Sequence, residues 1–166
     1  MKRSAGVLMP ISSLPSKYGI GTLGKGARDF IDFLEKSGQT YWQVLPIGPT
    51  GYGDSPYQSF SSNAGNPYFI DLDDLCDEGY LEKEEYVNEN YGTDVNCVDY
   101  AQIYNTRFTV LRKAVERLSA VQTEDYLSFL RDNAYWLNDY ALFMAEKDDH
   151  KGQAYTTWEE DIRKHD

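Results

Sequence analysis

The chain of 166 residues is acidic and otherwise has the composition of a folded globular protein. Hydrophobic residues make up 41% and charged residues 26%, which excludes wholesale disorder and a collagen-like fibre. With 27 acidic and 16 basic side chains the formal net charge is -11, so nucleic-acid backbones and anionic membrane surfaces would be repelled.

Residues suited to a disulfide framework or a metal site are scarce. Cys76 and Cys97 are the 2 cysteines, too few for a disulfide scaffold, and no two His residues lie nearby in the sequence to complete a zinc site. Pro10 and Pro15 interrupt the apolar stretch near the amino terminus, and no run approaches the ~20 apolar residues that span a bilayer. We therefore expect a cytoplasmic protein.

The first part of the chain has the pattern of a strand, a helix and a second strand. Residues 5–11 form a short apolar run bounded by turn formers, which predicts a buried strand. Apolar residues from Ala27 to Leu34 recur at helical spacing, and residues 41–47 form a second β-prone run in which Tyr41 and Trp42 are interpreted as core. Such a βαβ unit requires a parallel sheet, so the fold class is α/β.

The remainder is predicted to be mainly helical. Residues 68–72 suit a brief extended piece, and the acidic residues 73–89 suit turns and a short helix. Beyond them, apolar side chains at intervals of three and four predict helices, and we interpret these stripes as core packing.

The run from Gly19 to Gly24 matches GxGxxG, the pattern of a dinucleotide-binding turn. Seven residues, 12–18, separate it from the first strand, and the second strand does not end in the acid that would bind a ribose. We therefore interpret the motif as a glycine-lined loop before a helix, with a nucleotide-binding βαβ protein as the less favoured alternative.

Residues 48–67 form a long loop rich in Gly, Pro, Ser and Asn directly after the second strand. Loops at the carboxyl ends of parallel strands carry the active sites of α/β folds. Within it an acid, hydroxyls, an amide and aromatic rings are gathered, the groups that bind a sugar through stacking and hydrogen bonds. The alternative is that Asp54 and Ser55 close turns through their own backbone.

The same loop carries a family resemblance. Residues 45–61, followed by residues 64–68, closely resemble the signature near the amino terminus of amylomaltases, the bacterial 4-alpha-glucanotransferases also called disproportionating enzymes. Residues 12–15 with 18–21, and residues 136–143, resemble further segments of that family. The resemblance extends over essentially the whole chain.

The resemblance implies the amino-terminal part of a (β/α)8 TIM barrel with a mostly helical inserted subdomain. Residues 1–72 would be the first βα units with a glucan-binding loop at 48–67, and residues 73–166 the inserted subdomain, truncated at its end. It also implies transfer of a 1,4-alpha-glucan segment to another glucan by a retaining double displacement, without metal or cofactor.

The resemblance places the catalytic carboxylates on later barrel strands, so no catalytic residue is expected in this chain, and alone it should be inactive. A complete barrel takes roughly 250 residues, which agrees with a fragment. Tyr57 resembles the family tyrosine that packs against the sugar next to the cleaved bond. The residues expected to bind 1,4-alpha-glucans and maltooligosaccharides are Tyr57, Ser55, Asp54, Gln58 and Tyr52.

A rival interpretation is a stand-alone, non-catalytic glucan-binding module that uses the same loop. For the fragment itself, two parallel strands would leave unpaired edges and an uncovered apolar face, which predicts self-association.

Overall fold

The chain is mostly helical and carries a small parallel sheet, in a computed structural model that describes residues 3–164. Strand β1 (Gly6–Leu8) pairs in parallel with β2 (Tyr41–Gln43), and Val7 lies opposite Trp42. Helix α1 (Lys25–Lys36) connects them. The predicted order of strand, helix and strand is confirmed.

Both strands are less buried than predicted. Leu8 is 53% exposed and Tyr41 63%, and only the central residues, Val7 and Trp42, are half-buried. The interpretation of Tyr41 as a core residue is wrong, because each strand has one neighbour among the described residues and no layer covers its outer side chains. Trp42 is held more firmly, since its Nε1 donates to the carbonyl of Met9 at 2.8 Å.

The prediction of an extended piece at residues 68–72 is wrong. A 3-10 turn occupies Pro67–Phe69, and α2 already begins at Leu72. The local cause is Asn66, whose Oδ1 accepts a hydrogen bond from the backbone N–H of Tyr68 at 2.9 Å, followed by Pro67 with its fixed φ. Asp71 caps the next helix in the same way through the N–H groups of two following residues.

Within residues 3–164, five α-helices follow the sheet region, and the apolar spacing predicted the longer ones. They are α2 (Leu72–Asp77), α3 (Tyr100–Val121), α4 (Glu124–Asp132), α5 (Ala134–Asp149) and α6 (Glu160–Lys164). None of the helices within residues 3–164 is long and apolar enough to cross a membrane.

The chain divides into two compact units, one ending at Val121 and one beginning at Gln122. In the second unit, the Trp158 ring is buried against Phe143 and stacks on His150 with ring centroids 4.8 Å apart. These contacts fasten the segment after α5 to that helix.

The first unit is built around a tyrosine core, by which we mean Tyr18, Tyr68, Tyr86 and Tyr91. All four rings are buried, and they pack with Leu72 and other apolar residues. The hydroxyls of Tyr18 and Tyr86 donate to the same Oδ1 of Asp73, at 2.6 and 2.8 Å, and the Tyr91 hydroxyl donates to the Tyr86 carbonyl at 3.0 Å.

Protein atoms fill the space beside the glycines of the GxGxxG run. A Cβ on Gly21 would lie 2.0 Å from the carbonyl oxygen of Ile11, and one on Gly24 would lie 2.0 Å from Oδ2 of Asp71. Gly19 has φ +76 and faces the Tyr91 carbonyl just as closely. Close packing against the chain therefore explains these glycines, and the Ile11 carbonyl lies beside Gly21, where a dinucleotide pyrophosphate would approach the backbone.

Candidate functional site

The loop of residues 48–67 is closed at its base by one backbone hydrogen bond. The N–H of Asn66 donates to the carbonyl of Ile47 at 2.8 Å, so the chain leaves and returns at the same point. Inside the loop, the N–H of Asp54 donates to Gly51 and that of Gln58 donates to Ser55, each at 3.1 Å. These bonds close consecutive tight turns, which present the side chains between them.

Asp54 lies at the bend between those turns with its carboxyl group directed inward. Its φ of 54 places it in the left-handed region, which Asp tolerates better than most residues. Oδ1 accepts a hydrogen bond from the Thr50 hydroxyl at 3.3 Å. Burial raises the pKa of the Asp54 carboxyl above its usual range, and the hydrogen bond from Thr50 opposes that effect.

Asp54 borders a partly enclosed cavity of about 230 Å³. Three stretches of chain form its walls: the segment after β1, the loop with its two ends, and the start of α3. They contribute Pro10, Ile11, Ser12, Ser13, Ile20, Leu45, Pro46, Thr50, Asp54, Pro56, Asn66, Phe69 and Tyr100. Asp54 and Tyr100 border the same cavity, and burial and then the charge of Asp54 raise the pKa of the Tyr100 hydroxyl.

Tyr57 borders a second, open depression of about 640 Å³. The loop and the residues between β2 and the loop form this depression. They contribute Pro46, Ile47, Gly48, Pro56, Tyr57, Ser59, Phe60, Ser61, Ser62, Asn63, Ala64 and Gly65. The Tyr57 ring is 74% exposed, so one face is available for stacking. A Cβ on Gly48 would lie 2.5 Å from the Ser59 hydroxyl, so a larger residue there would displace that side of the loop.

The predicted site residues fall into two groups. Tyr57 borders the open depression, Asp54 borders the other cavity, and Pro46 and Pro56 border both. Ser55, Gln58 and Tyr52 border neither.

The three residues outside the cavities occupy turns and the loop tip. The Ser55 hydroxyl accepts a hydrogen bond from the N–H of Tyr57 at 3.4 Å. This is the turn-closing role that the sequence offered as the alternative to sugar binding. Gln58 is exposed, and Tyr52 is fully exposed at the tip between Gly51 and Gly53.

Tyr100 and Ser12 border the partly enclosed cavity but were missed as site residues by sequence reasoning. They lie far from Asp54 along the chain, and neither belongs to a spacing pattern that links it to the loop. The family resemblance at residues 12–15 includes Ser12, but it did not link that residue to the loop.

Comparison with known proteins decides the family. The glycoside hydrolase 77 family, described as 4-alpha-glucanotransferase, matches residues 9–166. The chain belongs to that family. The suspected resemblance to amylomaltases is therefore confirmed.

Individual relatives agree with the family match. The chain is 50% identical over 155 residues to a 4-alpha-glucanotransferase of Clostridium butyricum, covering 93% of this chain and 32% of the relative. It is 51% identical over 158 residues to one of Streptococcus pneumoniae, covering 95% and 31%.

A solved structure titled as an amylomaltase from Streptococcus agalactiae in complex with acarbose superposes with a TM-score of 0.88 at 44% identity, covering 96% of this chain and 32% of that one. The chain thus spans about a third of the length of the relatives it matches.

Proposed function

We propose that this chain is part of a 4-alpha-glucanotransferase that transfers a segment of a 1,4-alpha-glucan to another glucan or to glucose. The observation that carries the proposal is Tyr57: an exposed aromatic ring beside an open depression, in a chain of the 4-alpha-glucanotransferase family. Sugar rings stack on aromatic faces while their hydroxyls bind nearby polar groups, and the depression offers Ser59, Ser61 and Asn63 for that purpose.

The proposed reaction is a retaining double displacement. One carboxylate attacks the anomeric carbon and forms a covalent glycosyl intermediate, while a second protonates the leaving oxygen and later deprotonates the acceptor hydroxyl. Those carboxylates would belong to the part of the relatives that this chain does not span. The Tyr57 ring would support the sugar at the cleaved bond as positive charge develops on it.

The other loop residues have smaller proposed roles. Asp54 and Gln58 would shape the loop or reach a glucan hydroxyl, and Ser55 would add a hydrogen bond from the turn that it closes. Tyr52, fully exposed at the loop tip, would offer a surface for a glucan extending away from the depression. No metal or cofactor is needed for this chemistry.

For the whole protein we propose a (β/α)8 barrel in the cytoplasm, with residues 1–72 as its first units and residues 73–166 as part of a helical insertion. Exposed apolar side chains near the sheet support this arrangement, because further strands and helices would cover them. They are Leu8, Ile31, Phe33, Tyr41, Val44 and Ile47.

Incubating the full-length protein with maltotriose tests the function. A glucanotransferase disproportionates it, so glucose and maltooligosaccharides longer than the substrate form together. Binding without new products would favour the glucan-binding module, and binding of NAD without binding of maltooligosaccharides would refute the glucan assignment. Calorimetric titration with each ligand separates these outcomes.

Light scattering of the isolated residues 1–166 tests the barrel. We expect the molecular mass to rise with protein concentration, because the exposed apolar surface finds a second copy. A monomer that unfolds cooperatively would contradict the proposal that further barrel units cover this surface.

A further inference from the structure

Arg107, on helix α3, is the largest fully buried side chain of the described residues, with 0% exposure. Its Nη2 donates to the carbonyl of Ile70. Its Nε and Nη1 are buried and have no hydrogen-bond partner, and no carboxylate within residues 3–164 forms an ion pair with it. A guanidinium group so poorly matched inside a protein requires an explanation.

The stability of the fold does not supply that explanation. Burial lowers the pKa of Arg107 to about 10, so the surroundings disfavour its charge. Burying a charged group without an ion-pair partner costs free energy, so we expect an apolar side chain of similar volume at this position to be neutral or stabilising.

Arg117, on the same helix, shows the usual arrangement. It donates to both carboxylate oxygens of Glu85, at 2.8 and 3.1 Å, and to the Tyr80 carbonyl at 3.1 Å.

The carbonyl that accepts the hydrogen bond from Arg107 belongs to Ile70, shortly after the candidate loop ends. We call residues 66–71 the stem, because successive residues in it are tied to other parts of the first unit. Asn66 binds Ile47 at the loop base, and the carbonyl of Phe69 accepts from the N–H of Leu23 at 2.9 Å. Arg107 supplies the tie at Ile70, so it fixes the stem to α3.

We propose that Arg107 is a positioning residue, which holds the stem against α3 so that the loop presents Tyr57 to the open depression. The catalytic consequence rests on the proposed function, whereas the effect on the loop does not. Tyr68, in the stem, supports the link. Burial raises its pKa to about 12, and the charges of Asp54 in the loop and of Arg107 act on it in opposite directions.

Arg107→Met in the full-length protein tests the proposal, because methionine keeps the apolar contacts and removes the charge and the bond to Ile70. We expect the Tm to stay the same or rise. We expect kcat/KM for maltotriose to fall about tenfold or more, since misplaced substrate-binding groups cost that much. Amide hydrogen exchange should quicken for residues 51–60, and Arg107→Lys should restore most of both properties.

Arg117→Met is the matched control. It removes a partnered arginine from the same helix, so we expect a lower Tm, unchanged kcat/KM and unchanged exchange in the loop. The proposal is overturned if Arg107→Met lowers the Tm or fails to fold, or if it folds and leaves loop exchange as in the wild type. If the wild type does not disproportionate maltotriose but the exchange results are as expected, the proposed function fails and the positioning role of Arg107 stands.

Discussion

The tyrosines of the candidate loop and those of the tyrosine core are the same residue in opposite settings. Tyr57 is 74% exposed beside a depression, and Tyr52 is fully exposed. In the core, the Tyr18 and Tyr86 hydroxyls share one carboxylate oxygen of Asp73, and both rings are buried.

The difference shows what an abundance of tyrosine means in this chain, which has 14. A buried phenol needs an acceptor for its hydroxyl, and the hydroxyls of Tyr18, Tyr86 and Tyr91 donate to protein oxygens. An exposed ring in a turn-rich loop does not contribute to the core, and for Tyr57 we propose a contribution to glucan binding instead. Composition alone cannot separate the two groups.

Tyr86→Ala should show the largest effect and tests the core side of the comparison. Tyr86 is 1% exposed, so removal of the ring leaves a cavity and takes a donor from Asp73. We expect a loss of about 3–5 kcal/mol in the free energy of unfolding. Urea denaturation followed by circular dichroism measures it, and a loss below about 1 kcal/mol would contradict the packing described here.

Tyr57→Ala tests the exposed side. We expect kcat/KM for maltotriose to fall about 100-fold, because in the proposed function the ring would contact the sugar as charge develops, while unfolding free energy changes by less than about 0.5 kcal/mol. Tyr52→Ala is the matched control, an exposed tyrosine of the same loop outside both cavities, and should change kcat/KM for this short substrate by less than about threefold. Near-wild-type transfer by Tyr57→Ala would remove Tyr57 from the site.

A third aromatic setting, in the second unit, gives the smallest predicted effect. His150 Nε2 lies 2.8 Å from Oε2 of Glu159, and this contact raises the pKa of His150 and lowers that of Glu159. Because the pKa of His150 is raised in the folded protein, its contact with Glu159 stabilises the fold fully at pH values below the ordinary histidine pKa. This contribution is lost as the pH rises through the pKa that His150 has in the folded protein. The Glu159 contribution is lost as pH falls through its lowered pKa.

The contact between His150 and Glu159 should therefore be strongest between those two pKa values. An NMR titration of the His150 ring measures the first of them, and Glu159→Gln should move it back toward the ordinary value. A His150 pKa that does not respond to Glu159→Gln would contradict the contact.

Local patterns predicted the elements of the chain better than their burial. The spacing from Ala27 to Leu34 predicted α1, because a helix is specified by residues close in sequence. The exposure of Leu8 and Tyr41 could not be predicted in this way, because burial of a strand depends on which neighbours lie beside it.

The candidate site was predicted as a segment and not as an arrangement. Composition and resemblance both indicated the loop at residues 48–67. They could not show that Asp54 borders one cavity and Tyr57 another. The two residues are three positions apart, and the direction of each side chain depends on the backbone conformation of the turns between them. Tyr100 and Arg107 were missed as contributors because helix α3 brings them close only after folding.

Pro46 and Pro56 border both cavities, and this has a consequence for engineering the protein. Because proline fixes the backbone φ, the lining that the two cavities share has a restricted backbone conformation. Ile11 and Ile20 border the cavity beside Asp54 and not the depression beside Tyr57. A bulkier side chain at either position would reduce the volume of the first cavity, while every residue that borders the second stays the same.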